Sequence, residues 1–169
     1  MLEPCGEKKT ANAGRERPAI VDVVLFGAGV MAKKHIATIA THPETRIAGI
    51  YDPKHTNFLS LDRSLEHLHT NDLDEFDARI RESQIAIIAC DTQHHRMMAE
   101  IAITRGLHCL IEKPAAGNEY DCAKILRLSA RYGTRVAVGY VTRIAQSSAP
   151  GNETTSASLD DAANTSRER

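Results

Sequence analysis

Short apolar runs rich in Val and Ile alternate with segments of helical period through the middle of the chain. AIVDVVLF (Ala19 to Phe26) predicts a strand, and glycines separate it from a helix-period stretch running from Val30 to Thr41. TRIAGIY (Thr45 to Tyr51) predicts a second strand. KHTNFLSLDRS carries less pattern and holds at most a short helix, with LHT around His69 as a short third strand. DLDEFDARIRES reads as a helix opened by Asn71 or Asp72, whose side chains can accept the free N–H groups of a first turn. QIAIIAC (Gln84 to Cys90) is apolar without alternation, as in strands covered on both faces.

The next helix, from about His94 to Arg105, places Met97, Met98, Ile101 and Ala102 at helical spacing and stops at Gly106. LHCLIE predicts a fifth strand. A helix from Glu119 is capped by Asn118 with Asp121 three residues on, turns Cys122, Ile125 and Leu126 inward, and stops at Gly133. TRVAVGY (Thr134 to Tyr140) supplies a sixth strand. Such alternation builds an α/β domain, a doubly wound parallel sheet with helices on both faces. Six strands make a full dinucleotide-binding sheet, ordered 3-2-1-4-5-6.

The two ends differ from this middle. Residues 1–17 are polar and are expected to form a disordered leader, and the Ser-, Thr- and acid-rich stretch over 145–169 a disordered tail. One domain over 18–144 remains. With 42% hydrophobic and 25% charged residues the chain can bury a core, and a formal charge of −1 leaves no electrostatic footprint for nucleic acid or an anionic membrane. Val23 to Ala32 is the longest uncharged run, about half the ~20 residues a spanning helix needs. The first ten residues lack the apolar centre of a signal peptide, so a cytoplasmic protein is expected. Cys5, Cys90, Cys109 and Cys122 have no C-x-x-C spacing and read as buried free thiols. His67, His69, His94 and His95 belong to different segments and complete no metal-ligand set.

The first chemical motif is G-x-G-x-x-A, formed by Gly27, Gly29 and Ala32 between a strand and a helix. The first glycine allows a tight turn, the second lets a pyrophosphate approach the backbone, and the small third residue lets helix pack on strand. Phosphates would meet the free N–H groups near Val30 and Met31, at the positive end of the helix dipole. Asp52, at the end of the second strand, can accept both hydroxyls of an adenine ribose and would repel a 2′-phosphate, which favours NAD. Lys54 and His55 follow directly and keep NADP open. Asp52-Pro53 is also a turn signal by itself, and methyltransferases share a glycine loop with an acid after the second strand.

A second motif separates these readings. GLHCLIEKPAA places Glu112, Lys113 and Pro114 at the carboxyl end of the fifth strand, where open α/β sheets bind ligands. Together with GAGVMAKKH, His95, Gly106, His108, Gly139, Tyr140 and Arg143, it resembles the glucose-fructose oxidoreductase and inositol dehydrogenase (Gfo/Idh/MocA) family. The resemblance spans Pro18 to Ile144 and implies a Rossmann fold with NAD or NADP as cofactor. It implies that Lys113 lies beside the nicotinamide and the substrate's reacting hydroxyl, where an ammonium can hydrogen-bond a developing alkoxide. Glu112 and Pro114 would help position the cofactor, and Glu112 would hold its ribose or Lys113. His95 either approaches the cofactor or is satisfied by local hydrogen bonds, His35 is a packing residue or a ligand, and Arg143 binds substrate or lies at a solvated strand end.

Cys90-Asp91-Thr92 departs from the family's Thr-Pro-Asn, and Asp91 adds a negative charge where the family's Pro gives rigidity. Family members continue into a second α/β domain holding the substrate pocket, further proton-transfer residues and the usual dimer surface. This chain is expected to lack it, which leaves oligomeric state open. Two functions from different classes follow: an oxidoreductase acting on a sugar, cyclitol or related hydroxyl compound, or a non-catalytic, truncated dinucleotide-binding protein.

Overall fold

The computed structural model describes residues 20–54, 57 and 61–140. The expected leader and tail, Arg143, and His55, Thr56 and 58–60 within KHTNFLSLDRS lie outside the described residues.

Six strands form one parallel sheet in the order β3-β2-β1-β4-β5-β6. They are β1 (Val21–Phe26), β2 (Thr45–Tyr51), β3 (His69–Thr70), β4 (Ile85–Ile88), β5 (His108–Ile111) and β6 (Val136–Val138). The helices are α1 (Val30–Thr41), α2 (Leu73–Glu82), α3 (Thr92–Thr104) and α4 (Glu119–Tyr132), and a 3-10 turn over Arg63–Leu68 precedes β3. This is the doubly wound sheet the alternation predicts. Ile20, expected inside the first strand, stands outside it and is 47% exposed.

Strand side chains alternate between two cores. Val24, Phe26, Ala86, Ile88, Cys109 and Ile111 face Phe76 and Ile80 of α2, Met98, Ala102 and Ile103 of α3, and Ile125 of α4. Val23, Leu25, Ile50 and Ile87 face the other way, toward Ala32 and Ile39 of α1. β4 is therefore continuously apolar, and β1 is so from Val23 to Phe26. Gly49 lets α2 approach, since a Cβ there would come within 2.8 Å of the Arg79 Cδ and 2.9 Å of the Phe76 ring. Phe26, Tyr51 and Phe76 meet edge-on or tilted with centroids 5.2 to 6.2 Å apart, beneath the carboxyl end of β1.

Side-chain caps fall where short-range patterns place them. Asp72, rather than Asn71, opens α2 by accepting the N–H groups of Asp74 and Glu75. Asn118 accepts the Asp121 N–H at 2.9 Å, and Gly133 ends α4 at φ +66°. Leu126 corrects the expected inner face of α4: it is 65% exposed, because the buried stripe runs through Ile125, Cys122 and Leu128 and Leu126 lies a further 100° around the helix. On α3, Met98 and Ala102 are buried and Met97 is 44% exposed.

Candidate functional site

At the end of β1 the chain must turn sharply to start α1 on the sheet's face. Gly27 makes the turn at φ +109°, and a Cβ there would lie 2.6 Å from the Ala89 carbonyl oxygen. Only glycine satisfies both conditions. Gly27 N–H donates to the Tyr51 carbonyl at 2.7 Å, and Ala28 N–H donates to Asp52 Oδ2 at 2.8 Å. Asp52 Oδ1 accepts the Lys54 N–H at 2.8 Å, and Oδ2 also accepts from Asn57 Nδ2 at 3.0 Å. The Asp52 carboxylate, 5% exposed, thus ties the end of β2 to the glycine turn. These three bonds use three of its roughly four acceptor positions, leaving room for about one ribose hydroxyl rather than the expected pair.

The first turn of α1 carries no side-chain cap and no acidic residue. Its leading N–H groups, at Val30 and Met31, open onto a cleft of about 360 Å³ that Gly27, Gly29, Val30, Met31 and Asp52 help to line. Space within 4 Å of a Cβ at Gly29 is empty, so a ligand can reach the backbone there. The residues therefore fit a dinucleotide: a donor-rich helix N-terminus, a glycine surface and a carboxylate with remaining acceptor capacity. Phe26, Tyr51, Met97 and Met98 give the cleft apolar walls.

The β4 loop forms the opposite wall. Cys90 lines the cleft, and burial pushes its thiol up to about 11, so it is no thiolate nucleophile at neutral pH. Asp91 stands at the N-cap of α3 but makes no cap bond with its side chain. Its carboxylate instead meets Lys54 Nζ at 3.2 Å. The negative charge that Asp91 adds to this loop is therefore paired.

Glu112, Lys113 and Pro114 lie on the same edge of the sheet at the end of β5. They do not line the cleft, and β5 is three strand spacings from β2, about 14 Å. Glu112 Oε1 pairs with His35 Nε2 at 2.8 Å, and Oε2 accepts the Lys113 N–H at 3.3 Å. His35 is thus a polar partner of Glu112, beyond the packing role its sequence position suggests. The Lys113 side chain is exposed, and the Lys113–Pro114 peptide is cis. His95 is 1% exposed, with Nδ1 2.9 Å from the Pro114 carbonyl and Nε2 3.1 Å from the Cys90 carbonyl. It joins the β4 and β5 loops from beneath and does not face the cleft. Asn57, which carries no spacing signal, and Met97, whose helical spacing marks only a place on α3, reach the cleft only through the fold.

A parallel sheet whose first turn leaves a helix N-terminus open beside a carboxylate at the end of β2 defines a dinucleotide-binding domain. The model of the Gfo/Idh/MocA oxidoreductase family, described as having an NAD-binding Rossmann fold, matches residues 21–140, and the chain belongs to that family. It is 24% identical over 123 residues to UDP-N-acetylglucosamine 3-dehydrogenase of Acidithiobacillus ferrooxidans, covering 71% of this chain and 37% of that protein. It is 27% identical over 135 residues to glycosyl hydrolase family 109 protein 4 of Phocaeicola vulgatus, covering 75% of this chain and 26% of that one. Its fold matches GenD2 from gentamicin A biosynthesis, solved in complex with NAD, with a TM-score of 0.66 and 20% identity over 82% of this chain and 37% of that one. The chain thus spans about a third or less of the curated relatives it matches. Among the described residues no helix is long and apolar enough to cross a membrane.

Proposed function

We propose that this chain binds NAD along the carboxyl edge of its sheet and serves as the cofactor-binding part of a dehydrogenase acting on a hydroxyl of a sugar, cyclitol or related compound. The observation that carries this reading is the Gly27 turn, held by Asp52 and opening onto the uncapped first turn of α1. In this reading the N–H groups of Val30 and Met31 take the pyrophosphate, and Asp52 takes a ribose hydroxyl. Bound NAD supplies a hydride acceptor, or as NADH a hydride donor. Lys113 at the end of β5 hydrogen-bonds the substrate oxygen as its charge changes, and Glu112, braced by His35, holds the Lys113 backbone.

The substrate class is supported by the dehydrogenase named among the relatives. Orienting a substrate and excluding water call for more surface than this cleft offers, and we assign that surface to further polypeptide in the same or a partner chain. Titration of the chain with NAD in a calorimeter tests binding, and a panel of sugar nucleotides, polyols and cyclitols followed by reduced-nicotinamide absorbance tests turnover. Binding with turnover that Lys113→Ala abolishes supports the full reading. Binding without turnover supports the second reading, a dinucleotide-binding chain without catalysis of its own. Absence of binding to either NAD or NADP overturns both.

A further inference from the structure

Lys54 and Asp91 come from different loops, on either side of the β1 turn in the sheet order, and both line the cleft. Lys54 follows Asp52 by two residues, and Asp52 Oδ1 holds its N–H at 2.8 Å. Its ammonium therefore originates beside the carboxylate assigned to the adenine ribose, where a cation attracts a 2′-phosphate. In this chain that ammonium is engaged, with Nζ 3.2 Å from Asp91 Oδ2.

Asp91 gives up an ordinary role to make this contact. An aspartate at an N-cap usually accepts the first N–H groups of its own helix, as Asp72 does for α2. The Asp91 side chain makes no such bond and reaches Lys54 instead. With side chains 63% and 61% exposed, the pair adds little to stability, because solvent screens it. Cofactor selectivity is a different quantity, the difference in affinity for two ligands that differ by one phosphate. Among the described residues lining the cleft, the formally charged groups are Asp52, Asp91 and Lys54, with His94 as a titratable neighbour. A 2′-phosphate thus meets two carboxylates and one cation that is already paired.

We propose that Asp91 is a cofactor-selectivity residue that acts through Lys54: by holding the ammonium it withholds the cation that would admit NADP. The inference rests on the NAD-binding reading above. Calorimetric titration of the full chain with NAD and with NADP at low ionic strength tests it, using Asp91→Asn, Lys54→Ala and the double variant. The unaltered chain prefers NAD. Asp91→Asn narrows the ratio of the two dissociation constants about five- to tenfold, and raised salt blunts the change. Adding Lys54→Ala to Asp91→Asn removes most of that narrowing. An unchanged ratio in Asp91→Asn, or a narrowing that survives loss of Lys54, overturns the proposal while leaving NAD binding intact. Failure of the unaltered chain to bind NAD overturns the underlying reading instead, before any variant is compared.

Discussion

The four α-helices whose ends are described begin in two different ways. α2 and α4 are closed by the side chains of Asp72 and Asn118, each accepting first-turn N–H groups. α1 and α3, which open at the cleft, have no side-chain cap, although Asp91 stands in position to supply one. A cap contributes about 1 kcal/mol, and its absence leaves donors for something else. α1 keeps its leading N–H groups available for an anion at the cleft, whereas α2 and α4 use theirs for stability.

This contrast can be broken most severely at Gly27. Gly27→Ala places a Cβ against the Ala89 carbonyl at positive φ, and should cost about 3 kcal/mol or more in denaturant unfolding and abolish NAD binding. Met31→Glu should separate the two uses of a helix start. A carboxylate in the first turn of α1 favours the dipole by about 0.5 kcal/mol, yet repels the cofactor phosphates and should weaken NAD about tenfold or more by calorimetry. Asp72→Ala and Asn118→Ala should each lower stability by about 1 kcal/mol with NAD affinity unchanged. A loss of NAD affinity in either variant would break the division between the two kinds of helix.

The smallest effect concerns the thiols. Burial raises Cys90 to about 11 and Cys109 to about 12, above the ordinary value of 9.0. The unfolded chain therefore loses these protons first, and stability, full below about pH 9, declines as pH rises toward 11 and 12. Denaturation midpoints across that window check the sign. Cys90→Ser should flatten part of the decline, because Cys90 lines the cleft and its hydroxyl replacement does not titrate there.

The fold was legible because its determinants are short-range. A Val-rich run broken only by Asp22 marked β1, an unbroken apolar run marked β4, and Asn118 with Asp121 and Gly133 bounded α4 by contacts within a turn. Leu126 turns outward, against expectation, because periodicity assigns a face to each residue but not the width of the buried stripe. Of the candidate site residues, Gly27, Gly29, Val30, Met31 and Asp52 gather in one cleft, whereas His95, Glu112, Lys113 and Pro114 lie along the β5 side of the edge.

Residue order alone therefore determined the alternation of strands and helices, the glycine turn and the helix caps, all governed by neighbours a few positions apart. The fates of the polar groups were decided only by the tertiary structure. Asp52 is committed to the Ala28 N–H 24 residues away, Asp91 to Lys54 across 37, and Glu112 to His35 across 77. Hydrogen bonds and ion pairs extend only about 3 Å, so a carboxylate's partner is set by which strand ends the sheet brings side by side.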